Sequence, residues 1–142
     1  MRSAYLEQNS GATAGVKKKV VNVDAAITLT NDDSGKVYML SATGGTVAVT
    51  LPTSLEDGVY YKFIVEEETP SNAITIAAGS AIVSLVMKDA GGNASNSTAG
   101  TQVSNIVIGT SAQKGDYINM MAAGAEWVAE CLSSIDDAVT TS

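Results

Sequence analysis

The sequence predicts an all-β fold: a single β-sandwich or jelly-roll-like domain of about nine or ten short strands, preceded by an extended N-terminal arm. Three observations predict it. Apolar and polar residues alternate over short runs, the period of a half-buried strand. Clusters of Gly, Asn, Asp and Ser separate these runs at roughly 8–12-residue intervals. Thirteen glycines against two prolines in 142 residues, set among Val, Ile and Thr, suit many short strands and tight turns. A chain of this length closes one core without covalent staples.

Residues 1–16, MRSAYLEQNSGATAGV, follow neither the helical nor the strand period. They read either as a frayed terminus or as an arm that orders against a partner through Tyr5 and Leu6. We assign residues 1–19 to this arm, 20–132 to the sandwich and 133–142, ending AVTTS, to a loose C-terminal tail. From Lys17 the chain turns β, with KKKVVNV and AAITLT as successive strands. NDDSG is a turn cluster in which Asp and Asn bond their own backbone and Gly35 is free to take positive φ. KVYMLS is a strand, and ATGG reads as a two-glycine hairpin turn into TVAVTL. Pro52 stops that strand because it cannot donate to a ladder. TSLEDG then makes a corner into VYYKFIVEEE, so that Val47, Val49 and Leu51 face Tyr61, Phe63 and Val65 across it. AITIA and AIVSLVM follow. Asp89 to Thr101 is a thirteen-residue polar loop, long enough to be functional or mobile. QVSNIVIG, DYINMMA and EWVAECL close the domain, with QKG and AGA as turns. The alternation buries one face of each sheet and leaves Thr, Ser, Lys and Glu on the other.

The composition argues against most chemistry. There is no histidine, which removes the Ser–His–Asp and Cys–His pairs and the commonest metal ligand. One cysteine excludes an intrachain disulfide and leaves structural zinc without ligands. Cys131 alternates with Trp127 and Ala129, as a packed thiol does, and Trp127 reads as core or interface rather than as a stacking platform for a ligand. No phosphate-binding glycine loop occurs. Glu66 and Glu68 share a face at a strand end, but a solvated, charge-blunted terminus explains them better than a cation site. Asp32 and Asp33 miss the spacing of a calcium loop and fit turn chemistry. Asn93 and Asn96 match the glycosylation pattern, which we take as chance in a polar loop. The expectation is therefore no catalytic residue, no metal and no cofactor.

Net charge is −7, with the charges unevenly placed. The first 20 residues hold four cations (Arg2, Lys17, Lys18, Lys19) against Glu7, and the rest holds 14 acids and four bases. Lys17, Lys18 and Lys19 read as a solvated strand edge or as a cationic contact for an acidic partner. Nucleic acid fits poorly, because no aromatic or Arg groups interleave with the lysines. No stretch is long and apolar enough for a membrane span, and the first residues lack the apolar run of a secretion signal.

Taken in order, ITLTNDDSGKVYML, VAVTLPTSLEDGVYYKFIV, NAITIAA and GDYINMMAAGAEWVAE resemble a module found in structural proteins of tailed bacteriophages, over roughly Ala26 to Glu130. The resemblance implies a β-sandwich without enzymatic activity, often trimeric, that serves as a head decoration (cement) protein or as a domain of tail fibres and other appendages. The shared residues are structural, so no functional set carries over; the 89–101 loop is long for the module, and the arm is not part of it. The leading expectation is a capsid decoration protein on the outer surface of the virion, tying major capsid protein subunits together. Tyr5, Leu6, Lys17, Lys18 and Lys19 are the candidate contacts. The chain starts at its own Met, forms one domain and lacks fibre-type repeats, which favours decoration over a fibre. The alternative is an appendage module that binds a receptor or carbohydrate through the 89–101 loop. No nucleic-acid, membrane or small-molecule partner is expected.

Overall fold

The computed structural model describes residues 17–79, 82–88, 94–96 and 103–142. Among them, twelve strands form a seven-stranded and a five-stranded sheet packed as a β-sandwich, the predicted class. The strands are β1 Val20–Val23, β2 Ile27–Thr28, β3 Val37–Leu40, β4 Val47–Thr50, β5 Tyr60–Val65 and β6 Ile74–Ala77 in the first half. The second half contributes β7 Ile82–Lys88, β8 Ala94–Asn96, β9 Asn105–Ile108, β10 Tyr117–Ala123, β11 Glu126–Leu132 and β12 Val139–Thr141. The sequence predicted fewer strands because β8 and β12 hold only three residues each, too few to display a period.

The larger sheet has the order β1-β3-β5-β10-β11-β7-β8 and the smaller β12-β9-β6-β4-β2. From β1 to β6 the chain changes sheet at every strand. β1, β3 and β5 lie parallel in one layer, and β2, β4 and β6 lie parallel in the other. This half is thus a flattened coil of three turns. The TSLEDG corner behaves as predicted, carrying the chain from β4 in one layer to β5 in the other. The ATGG segment does not. It is no hairpin, because β3 and β4 belong to different sheets and both neighbours of β3 are parallel to it. Neither Gly44 nor Gly45 takes the positive φ of a primed hairpin turn. Side chains hold the corner instead: a Glu67 carboxylate oxygen accepts the Ala42 N–H, and Asn72 Nδ2 donates to the Ala42 carbonyl at 2.8 Å.

A tight hairpin of the large sheet joins β10 to β11 through Gly124 and Ala125, with Gly124 at φ 69°. Glycine at the first central position is what a II′ turn requires. β10 also pairs antiparallel with β5 and so seams the coiled half to the rest. The inner face of the large sheet carries four rings: Tyr38, Tyr61, Phe63 and Trp127, none more than 1% exposed. Tyr38 stacks on Phe63 with centroids 5.6 Å apart, and Tyr61 lies 5.5 Å from Trp127. Against them the small sheet packs Val47, Val49, Leu51, Ile74, Ile76 and Ile106, so the residues expected to face one another across the corner do so. Each such side chain contributes about 1.5–3 kcal/mol when fully buried.

The last ten residues are not loose. After β11 the chain crosses back, buries Ala138 and Val139, and pairs β12 antiparallel with β9. Asp116 holds the crossing: one carboxylate oxygen accepts the Ser134 N–H and the other the Gln113 N–H, each at 2.9 Å. The 89–101 loop is also shortened, since Ala94–Asn96 adds the edge strand β8 to β7. The rest of that loop lies outside the described residues.

Candidate interaction surfaces

Lys17, Lys18 and Lys19 are all exposed and lead directly into β1, the edge strand of the large sheet. The Lys19 carbonyl accepts the Val37 N–H at 2.9 Å, so the backbone is already tied to β3 at the end of the assigned arm. Lys18 Nζ sits 5.9 Å from the centroid of the Tyr60 ring, which places it beside the outer face of that sheet. Tyr5 and Leu6, the other predicted contacts, lie outside the described residues.

The two outer faces differ. On the small sheet Thr28, Ala48, Thr50, Thr75 and Thr140 point outward, in line with the small, polar exposed face expected from the sequence. The large sheet departs from that expectation. Val86 is 59% exposed, Met121 45%, Val128 44% and Leu132 42%, with Tyr60 and Tyr117 half-buried between them. Met121, Val128 and Val86 line a shallow groove of about 540 Å³ together with Tyr60, Asn119 and Glu130. These apolar side chains are grouped on one face rather than scattered singly.

A polar row crosses the apolar face. Lys62, Asn119 and Glu130 are direct cross-strand neighbours on β5, β10 and β11. Asn119 Nδ2 donates to Glu130 Oε1 at 2.9 Å, the Tyr60 hydroxyl donates to Asn119 Oδ1 at 3.2 Å, and Lys62 Nζ lies 4.7 Å from the Tyr117 ring centroid. The side chains are thus held in place before any partner arrives. The signal for this face was present in DYINMMA and EWVAECL, where both phases of the alternation carry bulky apolar groups. One phase, Ile118, Met120, Trp127 and Cys131, fills the core; the other, Tyr117, Met121, Val128 and Leu132, faces out.

The remaining singled-out residues are structural. Asp33 closes the Asn31–Asp33 3-10 turn by accepting the Thr30 N–H at 2.9 Å and pairing with Lys36. The Lys36 hydrogen bond, followed by the backbone bond from Thr30, lowers its pKa from the ordinary value. Glu66 and Glu68 stand past the end of β5 and only Glu68 is exposed, while Glu67 is spent on the Ala42 corner. Trp127 is core, and Cys131 is a buried free thiol. Burial, with the Asp116 charge adding to it, pushes the Cys131 thiol up to about 12. Among the described residues no three His, Cys, Asp or Glu side chains converge on a common point. No family model matches the chain, and no curated protein is similar to it in sequence.

Proposed function

We propose that this chain is a non-catalytic structural protein, a decoration protein of a tailed-phage head that fastens major capsid protein subunits from outside the shell. The single observation that carries the reading is the position of Lys17–Lys19. Three exposed cations stand where the chain leaves the edge of the large sheet, on a body whose remaining residues hold 14 acids and four bases. Such segregation gives the molecule a positive strap and a negative body. The strap meets an acidic joint, while the body, repelled by it, stays outside. Tyr5 and Leu6 supply the apolar anchors of the strap. Many copies on a symmetric shell gain by multivalency, so each contact needs only modest affinity. The reading invokes no cofactor, nucleic acid, membrane or small-molecule substrate.

Co-sedimentation with empty expanded heads tests it. Replacing Lys17, Lys18 and Lys19 together by Glu should weaken binding by an order of magnitude or more at about 50 mM salt, and binding of the unaltered chain should itself weaken as salt is raised. Undiminished binding of the triple variant at low salt would refute the strap.

A further inference from the structure

We infer that the outer face of the seven-stranded sheet is a self-complementary surface, and that its occupant is the same face of a second copy of this chain. The argument starts from register. β10 is the fourth of seven strands, the middle of the sheet. Along one level the outward neighbours run Val20, Val37, Lys62, Asn119, Glu130, Val86, so a cation and an anion stand one strand to either side of Asn119. One level away lie Tyr60, Met121 and Val128; on the other side lie Ile64, Tyr117 and Leu132.

Two like faces can meet about a two-fold axis along the strands or across them. An axis along β10 exchanges β5 with β11 and keeps every level in place. Lys62 then meets Glu130 of the other copy, twice. Met121 and Tyr117 meet their own counterparts, Tyr60 meets Val128, and Ile64 meets Leu132. An axis across the strands would instead set Lys62 against Lys62 and Glu130 against Glu130. The charges therefore select the first arrangement. It is an aligned sheet-on-sheet packing, with the faces about 10 Å apart and rotated by about 30°.

The size is suitable. Seven strands of three to seven residues, about 4.8 Å apart with residues about 3.3 Å apart, make a face of roughly 600 Å². Before side-chain relief is counted, this is comparable with the ~800 Å² per partner of a stable complex. The polar row is prearranged by the Asn119–Glu130 and Tyr60–Asn119 hydrogen bonds, so little side-chain freedom is lost on contact. The inference goes beyond the shell reading and does not depend on it. It also departs from the trimer that the phage resemblance implies.

Sedimentation equilibrium of the full chain, with no shell present, is the test. At about 100 µM the mass should be twice 14.5 kDa. Lys62→Glu and Glu130→Lys should each raise the dissociation constant on the order of a hundredfold, because each places two like-charge contacts in the interface. The double variant Lys62→Glu/Glu130→Lys reverses both partners and should return the constant to within about tenfold of the original. Far-UV circular dichroism and burial of Trp127 verify the fold of each variant. A monomer or a trimer at that concentration, a dimer insensitive to either single change, or failure of the double variant to recover would overturn the inference.

Discussion

Asp116 is the side chain whose removal should cost most for its size, because it fastens the return of the chain from the large sheet to the small one. The residue is 6% exposed, and its carboxylate accepts two backbone N–H groups, from Gln113 and Ser134, each at 2.9 Å, with the Ser133 hydroxyl at 3.4 Å as a weak third. Hydrogen bonds to a charged acceptor contribute about 1.5–3 kcal/mol each, and the third lies at the edge of bonding distance. Ser134 is exposed and Gln113 partly so, hence water takes over part of what is lost. Asp116→Ala should therefore cost about 3 kcal/mol. For a domain near 150 residues this lowers Tm by about 10 °C. Asp116→Asn is the sharper variant. It keeps the shape but turns one acceptor oxygen into an NH2 group facing a backbone N–H, so it should cost nearly as much as alanine. Urea unfolding followed by Trp127 emission measures both. A loss under about 0.5 kcal/mol for the alanine variant, or an asparagine variant as stable as the original, would refute the reasoning.

Two further outcomes follow from burial. Cys131 is 4% exposed with its thiol raised to about 12, so a disulfide reagent at pH 8 should modify it only as fast as the domain opens, and fast labelling of the folded chain would contradict the packing. Tyr38 is raised to about 12 and Tyr61 further still, both mainly by burial. Their folded pKa values exceed the ordinary 10, so the folded state holds protons that the unfolded state releases. The stability they lend is complete below about pH 10 and declines as pH climbs through the folded values. Denaturation midpoints measured from pH 8 to 11.5 should therefore fall steadily above 10, and Tyr38→Phe should make the fall shallower.

How much of this was legible depends on whether the deciding contact is local. Val47, Val49 and Leu51 against Tyr61, Phe63 and Val65 was readable because a period of two and one corner determine which side chains turn inward. Trp127 and Cys131 were readable for the same reason. The coil of β1 to β6 was not. ATGG has the composition of a hairpin turn, and what overrules it is the parallel seating of β3 between β1 and β5, which are remote in sequence. Nor was β12, whose three residues show no period and whose place depends on Asp116 reaching across to Ser134. Lys17–Lys19 are exposed beside the edge strand, as both readings of them require, a solvated edge or a partner contact. The apolar outer face went unread because an outward residue was taken to be polar. Met121 and Leu132 break that equation, one on either side of the Asn119–Glu130 row.

The edges and the face of the large sheet together determine how this molecule can associate. An exposed edge strand invites another strand to add to it, and head-to-tail addition of that kind has no natural end. All four edges here are short: β1 has four residues, β2 two, β8 three and β12 three. The longest of them is entered through three lysines, so two copies approaching edge to edge at β1 bring like charges together before any ladder forms. The longest described strands are β7, β10 and β11 at seven residues each; β10 and β11 are paired on both sides, and β7 is met on its outer side by β8 at Val86–Lys88 and by Val103 at Val83. Apolar surface is thus concentrated where contact is by face and withheld where contact would be by edge. A face that pairs about β10 is consumed by one partner and leaves no like surface open, so growth stops at two. The lysines that lead into β1 stand three strands from that axis, at the rim of the pair, so the contact about β10 leaves them outside its centre.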